Sequence, residues 1–276
     1  MAGSFLIFLR EGIEGSMICA ILLTYLSAGG RRDLFRWVLA GAAAALVVSA
    51  VVGISLYTWV KSAFIGSQEQ LWFETATFGL AVIVLTYMTF WMKRHARRFS
   101  ADLRAQVDSA VLVGSGIALF TVAAVTVGRE ALETSIFLTA IAFQSSPASL
   151  VEGAIPGLLV ALAISFAIYR LGMKINMARF FKVVGAALMV VAAGLLANLV
   201  QNLQHLGVLP GAGSHMWDTG SLIADSSVGG DILHGLLGYA ASPSPLQLAS
   251  YLAFLAIGLT FFLRAPRPRR GQSLTA

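Results

Sequence analysis

Two copies of the pattern Arg-Glu-x-x-Glu lie inside long apolar segments, and they constrain the fold of this chain more than any other feature. The first copy, REGIE, spans Arg10–Glu14 and the second, REALE, spans Arg129–Glu133. A charge at the middle of a membrane-spanning helix costs roughly 2.5–3.5 kcal/mol, so six such charges would cost about 15–20 kcal/mol without compensation. Ionisable groups at that depth usually serve an ion or proton pathway. The pattern therefore predicts a membrane protein with a polar site inside the membrane.

The composition also indicates an integral membrane protein. Of 276 residues, 58% are hydrophobic and 12% are charged, and the mean hydropathy is +0.81; soluble domains carry about 25% charged residues. The pI near 9.8 is typical of nucleic-acid binding, but the basic residues lie in short loops between apolar segments, so we expect no nucleic-acid partner. Cys19 is the single cysteine, which excludes an intrachain disulfide. The first apolar segment has no basic leader, so we interpret it as a retained span.

Seven apolar segments are long enough to span a bilayer as helices. They predict an all-α integral membrane protein with one transmembrane domain over residues 1–264 and a basic cytoplasmic tail at 265–276. The fourth segment is longer than a bilayer requires, so we expect it to tilt or bend. The predicted spans are Ser4–Ala28, Arg36–Val60, Gln70–Met92, Ala110–Phe143, Ile155–Gly172, Phe180–Leu203 and Leu246–Leu263.

The distribution of lysine and arginine predicts the orientation. The first, third and fifth loops and the C-terminal tail contain 16 of the 19 basic residues, whereas only Lys61 lies in a loop on the other side. Loops rich in lysine and arginine stay in the cytoplasm. The chain is therefore predicted to be a multi-pass membrane protein with its N-terminus outside and its C-terminus inside.

The two motifs indicate an internal repeat. They are offset by 119 residues, and Ser16 matches Ser135 at the same offset. Because three spans separate the motifs, the two copies enter the membrane from opposite sides. This predicts a 3+3 inverted-topology repeat, with repeat one at about 4–92, repeat two at about 110–203 and an extra helix at about 246–263. Such folds place the ion site near the midplane, between the repeats.

The motif residues suit the binding of a hard cation. Residues i and i+3 of a helix share a face, so each motif directs two glutamates the same way. If the two helices pack antiparallel, four carboxylates converge into an all-oxygen site, which hard cations prefer. These are Glu11, Glu14, Glu130 and Glu133. Arg10 and Arg129 are expected to hold the carboxylates through a planar fork that lysine does not reproduce.

A purely structural role is the alternative for these motifs. Arg-Glu-x-x-Glu also fits an intrahelical salt bridge or a clamp between helices, but buried ion pairs are weak stabilisers and here the pattern occurs twice. The hydroxyl groups of Ser16, Thr134 and Ser135 could add ligands. Such residues more often donate to a carbonyl of their own helix, and we expect that here.

These residues resemble the oxidase-dependent iron permease family of bacteria and fungi. The first motif matches the family pattern fully, and the second has Ala131 where glycine is usual. The resemblance also covers the segments 73–74, 85–88, 180–182, 192–196 and 209–218, and so extends over essentially the whole chain. It implies seven spans, import of iron as the transported substrate across a plasma (inner) membrane, and metal handling by the four motif glutamates. It also implies Fe(III) delivered after oxidation, an extracytoplasmic iron-binding or iron-oxidising partner, contact with membrane lipid and no organic cofactor.

Acidic residues are predicted on the outer face. Glu74 lies at the start of the third span and Asp218 lies in the long loop before the seventh. We expect both to capture cations, because an acidic mouth raises the local cation concentration. The alternative is an ordinary solvated loop.

Three other functions remain in competition with import of Fe(III). The chain could transport Fe(II) or another hard divalent metal, or it could be a membrane metal sensor or a subunit that does not transport. An intramembrane hydrolase is disfavoured because the sequence has neither H-E-x-x-H nor an evident nucleophile and base, so we predict no enzyme and no catalytic residues. There is also no nucleotide-binding loop, so ATP is not expected to drive transport directly.

Overall fold

The chain folds into long α-helices. The computed structural model describes residues 2–63, 68–95, 116–142, 147–171, 177–211, 213, 215–220, 230, 233 and 239–264, and none of these is in a β-strand. A 3₁₀-helix, Arg32–Leu34, precedes α2. The described residues form α1 (Ala2–Ala28), α2 (Phe35–Ala63), α3 (Gln68–His95), α4 (Gly116–Ala142), α5 (Pro147–Leu171), α6 (Met177–His205) and α7 (Pro245–Leu263).

Five of these helices, α2, α3, α5, α6 and α7, are long and apolar enough to cross a membrane. A helix suits that environment because it satisfies its backbone groups internally. The remaining two, α1 and α4, have 27 residues each and differ in carrying the three charges of a motif. The protein is therefore an all-helical, multi-pass membrane protein. The count of seven spans and their orientation stay predictions.

One predicted boundary is wrong. The fifth span was expected to begin at Ile155, whereas α5 begins at Pro147. Proline suits the first turn of a helix because the amide it lacks has no partner there. Polar residues such as Ser149 and Glu152 occupy the first turns of α5, so hydropathy alone missed them. Residues 110–115 and Phe143 of the predicted fourth span, Gly172 of the fifth and the predicted tail at 265–276 lie outside the described residues.

The helices pack in matched pairs. The most extensive contacts join α1 to α5, α2 to α4, and α3 to α6, while α1 also packs on α4 and α7 packs on α6. If α1, α2 and α3 are equated with α4, α5 and α6, the α1–α5 contact becomes α4–α2. The weaker α3–α4 contact likewise becomes α6–α1. The predicted three-helix repeat requires such an exchange, in which α1 packs on α5 and α4 packs on α2.

Side-chain hydrogen bonds stabilise both ends of helix α7. At its start, Ser244 accepts a hydrogen bond from the Gln247 amide, and the Gln247 side chain accepts one from the Ser244 amide. This capping box satisfies two amides that the helix leaves open. At its end, the Lys93 ammonium of α3 donates to the carbonyls of Phe262 and Arg264. A cation at a helix C-terminus is favourable because the last carbonyls have no partners within the helix.

Two glycines allow the backbones of the paired helices to approach closely. A Cβ at Gly157 of α5 would lie 2.5 Å from the carbonyl oxygen of Phe5 and 3.2 Å from the amide nitrogen of Leu9, both in α1. A Cβ at Gly41 of α2 would likewise collide with the carbonyl oxygen of Phe120 in α4. These positions thus bring α5 close to α1 and α2 close to α4.

We expect Gly157→Ala to lower the melting temperature of the purified protein in detergent. The added methyl meets fixed backbone atoms, and overpacking of this kind costs about 1–3 kcal/mol. Gly15→Ala is the matched control, because a Cβ at Gly15 has no neighbour within 4 Å and alanine favours a helix by about 1 kcal/mol over glycine. A melting temperature of Gly157→Ala equal to or above that of Gly15→Ala would contradict the close approach of α1 and α5.

Candidate metal site

Both motifs lie well inside their helices, and their side chains meet where α1 packs on α4. Arg10 and Glu11 of α1 are buried, Glu14 is fully buried, and Glu130 of α4 is 2% exposed. Glu133 is partly buried, with 12% of its side chain exposed. The structure therefore places ionisable groups where an uncompensated charge is most costly.

Three of the four motif carboxylates form one group. Glu11, Glu14 and Glu130 each offer a carboxylate oxygen, and these oxygens lie within 4.8 Å of one another. Oxygen ligands at 2.1–2.5 Å from a hard cation are at most about 4.2–5.0 Å apart. The spacing therefore fits one cation bound by all three carboxylates. Glu133 is not in this group, although it is close enough to Glu130 and Arg10 to interact with them electrostatically.

Several oxygens of these carboxylates accept no hydrogen bond. Among the described residues they are both oxygens of Glu11 and the Oε2 atoms of Glu14, Glu130 and Glu133. Buried polar atoms are nearly always paired, and an unpaired one marks a site with a further partner. A cation would supply that partner.

Arg10 links the two carboxylates of its own motif. Its Nε donates to Oε1 of Glu14 at 3.1 Å, and its Nη1 lies 3.1 Å from Oε1 of Glu11. The second contact is an ion pair without hydrogen-bond geometry. Arg10 is thus a buried counter-ion that holds two of the three grouped carboxylates in place.

Arg129 does not reproduce this arrangement. Its side chain is 47% exposed, its Nε and Nη2 both donate to Oε1 of Glu130, and its Nε is 3.7 Å from Glu133. The guanidinium carbon lies 5.8 Å from the ring centroid of Trp91 in α3, within cation–π range. Motif spacing could not reveal Trp91, because α3 is distant in sequence. The two motifs match in sequence but differ in geometry.

A cavity of about 460 Å³ adjoins the carboxylates between α1, α2, α4 and α5. Each α1 residue that lines it has an α4 counterpart at the motif offset of 119 residues, so matching positions of α1 and α4 both face the cavity. The pairs are Phe8 and Val127, Glu11 and Glu130, Gly12 and Ala131, Gly15 and Thr134, Ser16 and Ser135, and Cys19 and Leu138. Sequence reasoning missed this cavity, because the cavity depends on the separation of α2 from α5.

The hydroxyl groups beside the motifs donate to backbone carbonyls, as expected. Ser16 donates to the Gly12 carbonyl, Thr134 to that of Glu130 at 2.8 Å, and Ser135 to that of Ala131 at 2.9 Å. Ser16 also meets the hydroxyl of Ser165 in α5. Ser16 thereby joins α1 to α5, whereas Thr134 bonds within α4.

The predicted outer residues are not part of the carboxylate group. Glu74 is partly buried on α3 and accepts a hydrogen bond from the Gln70 amide at 2.8 Å. Asp218 is exposed and accepts one from the backbone amide of Gly220 at 2.8 Å, a common turn contact. Both contacts fit the solvated-loop alternative as well as ion capture.

Comparison with known proteins identifies the family. The model of the iron permease FTR1 family matches residues 1–266. The protein named ferrous iron permease EfeU from Yersinia pestis is 31% identical over 274 residues, which cover 99% of this chain and 96% of that protein. The protein of the same name from Escherichia coli O6:H1 is 31% identical over 267 residues, 95% of each chain. No solved structure matches the chain. The chain belongs to the iron permease FTR1 family, and is thus a transporter of iron rather than an enzyme.

Proposed function

We propose that this protein imports iron across the plasma membrane through a site made by the four motif glutamates. The observation that carries the proposal is the buried group of Glu11, Glu14 and Glu130, each with at least one oxygen that accepts no hydrogen bond. Negative charges this close repel strongly where the dielectric is low. A cation between them relieves the repulsion and supplies the missing partner.

The charge of the site suits a multivalent ion. Four carboxylates and two guanidiniums leave a net charge of −2. One divalent cation neutralises this charge, which makes transfer through the membrane interior less costly. In the absence of an ion, Arg10 holds Glu11 and Glu14 in place, because it contacts both.

The oxidation state of the carried iron has two candidates. The resemblance to oxidase-dependent permeases favours Fe(III) delivered by an extracytoplasmic iron-binding or iron-oxidising partner. Fe(II) is favoured by the net charge of −2 and by the names of the relatives, which describe ferrous iron permeases. Uptake of labelled iron in ascorbate and, separately, with an oxidant, each with and without an impermeant Fe(II) chelator, separates them. Inhibition by the chelator supports Fe(II), whereas uptake that requires an oxidant supports Fe(III).

The proposed architecture is a 3+3 inverted repeat of seven spans, with α7 as the extra helix. The exchange of packing partners supports the repeat, as do the matched residues of α1 and α4 around the cavity. The orientation, with the N-terminus outside, is supported by the basic loops. A single transmembrane domain then alternates access to a site between its two halves.

Uptake of labelled iron into proteoliposomes tests the proposal. A permease accumulates iron inside sealed vesicles, and the accumulated label is released by an ionophore. A sensor or a non-transporting subunit binds iron without accumulating it. Binding without accumulation would therefore overturn the proposed function and leave the metal site intact.

Glu74 and Asp218 are proposed to capture the ion before it reaches the motif site. We expect Glu74→Gln and Asp218→Asn each to raise the KM for iron by about threefold to tenfold with little change in the maximal rate, as for a lost steering charge. Uptake by these variants should also depend less on salt, because exposed charges act over about 8–10 Å.

The matched control for capture is Asp33→Asn, an exposed aspartate beside Arg31 in a loop predicted to be cytoplasmic. Its uptake curve should equal that of the unmodified protein. Unchanged curves for Glu74→Gln and Asp218→Asn would assign both residues to an ordinary solvated surface.

A further inference from the structure

The cavity between α2 and α5 opens to the side of the protein. Leu39 and Leu46 of α2 are 52% and 55% exposed, and Leu158 and Leu162 of α5 are 41% and 48% exposed. All four line the cavity, and Leu46, Leu158 and Leu162 lie well inside their helices, whereas Leu39 is in the second turn of α2. In a membrane protein, exposed leucines at such positions face lipid chains. The cavity is therefore accessible to apolar molecules dissolved in the bilayer.

The polar side chains of the cavity offer hydrogen-bond acceptors, and two of them, Glu11 and Glu130, are carboxylates. Glu11 is 5% exposed and neither of its oxygens accepts a hydrogen bond, and the same holds for Oε2 of Glu130. The hydroxyl hydrogens of Ser16, Thr134 and Ser135 are directed to backbone carbonyls. A ligand that complements this surface has a cationic hydrogen-bond donor at one end and an apolar body.

The size of the cavity is that of an organic ligand. Its volume of about 460 Å³ falls within the range of about 300–1,000 Å³ for small-molecule sites. A bare metal ion fills only a small part of this space. Apolar walls around two carboxylates thus offer binding energy that an inorganic cation does not use.

We propose that this cavity is a binding site for apolar ammonium ions, which enter from the bilayer and place the ammonium group on Glu11 and Glu130. An ammonium ion bound in the cavity competes with iron, because the same two carboxylates belong to the proposed metal site. The binding site rests on the cavity and on its carboxylate oxygens that accept no hydrogen bond, whereas the competition rests on the proposed function.

Dansylcadaverine is a suitable probe, because it joins a fluorescent apolar body to a primary ammonium. We expect its emission to increase and shift to the blue when it is titrated with the purified protein in nanodiscs without metal. The N-acetylated probe has the same body without the charge and should bind about tenfold more weakly or worse, as expected for a charge-assisted hydrogen bond removed from a buried site.

Two substitutions test the location of the ammonium site. Glu11→Gln removes one carboxylate, and Gly15→Leu fills the cavity from a position where a Cβ has no neighbour within 4 Å. Each should weaken probe binding by about tenfold or more. Glu152→Gln, at an exposed glutamate of α5 outside the cavity, is the matched control and should bind the probe normally. Melting temperatures of the variants establish that they are folded.

The outcomes separate the two proposals. Equal binding of the charged and acetylated probes, or unchanged binding by a folded Gly15→Leu variant, would overturn the ammonium site and leave the iron proposal unaffected. Probe binding that depends on Glu11 but does not inhibit iron uptake would retain the ammonium site. That result would instead remove Glu11 and Glu130 from the iron pathway.

Discussion

Glu11→Gln, Glu14→Gln and Glu130→Gln are each expected to reduce iron uptake by at least about 100-fold. Loss of groups that only support a metal ligand already costs about 10–100-fold in metal affinity or activity, and these three carboxylates form the group whose oxygens lie within 4.8 Å. Glutamine keeps the size of the side chain and removes its charge. The substitution therefore tests the ligand without opening a cavity.

Glu133→Gln should have a smaller effect, of about tenfold. Its carboxylate is outside the group of three and reaches Glu130 and Arg10 only electrostatically. The repeated motif alone predicts equal roles for all four glutamates. A loss as severe as that of Glu14→Gln would mean that Glu133 joins the ligands during the transport cycle.

The measurement is uptake of labelled iron per reconstituted molecule. Glu152→Gln is the control, because this exposed glutamate lies on α5 away from the motifs and should transport normally. Transport at the unmodified rate by Glu11→Gln, Glu14→Gln or Glu130→Gln would remove that residue from the proposed site. Loss of uptake together with loss of folded protein would indicate a structural role.

Most helix positions could be predicted from the sequence, because a membrane restricts its spanning segments to regular helices. The predicted segments Gln70–Met92 and Leu246–Leu263 nearly coincide with α3 and α7. The start of α5 was missed because hydropathy measures apolarity, whereas the helix begins at Pro147 through backbone geometry. Apolarity locates the span, and local stereochemistry sets the residue at which the helix begins.

The packing partners of the helices were not accessible to sequence reasoning. The spacing of Glu11 and Glu14 places both on one helix face, but it does not state which helix that face meets. In the structure α1 packs on α5, and α4 packs on α2. The cavity, and the unequal positions of Arg10 and Arg129, follow from these long-range contacts. The local sequence determines the direction of a side chain on its helix, whereas contacts between distant segments determine its environment.

Arg10→Lys is expected to impair uptake at least about tenfold more than Arg129→Lys. Arg10 is 2% exposed and uses separate nitrogens for Glu14 and Glu11, an arrangement that a single ammonium cannot reproduce. Both hydrogen bonds of Arg129 go to one oxygen of Glu130, and its side chain is 47% exposed. One ammonium and water can replace that contact.

Removing the charge at Arg10 should also destabilise the fold. Arg10→Met leaves Glu11 and Glu14 without their buried counter-ion, and breaking a buried ion pair costs about 3–5 kcal/mol. Adding Glu14→Met to Arg10→Met should recover part of the melting temperature without restoring uptake, because a proposed ligand is then missing. Arg10→Met with unchanged stability and uptake would show that Arg10 is not the counter-ion of this site. Equal uptake by Arg10→Lys and Arg129→Lys would instead show that the difference between the two motifs has no role in transport.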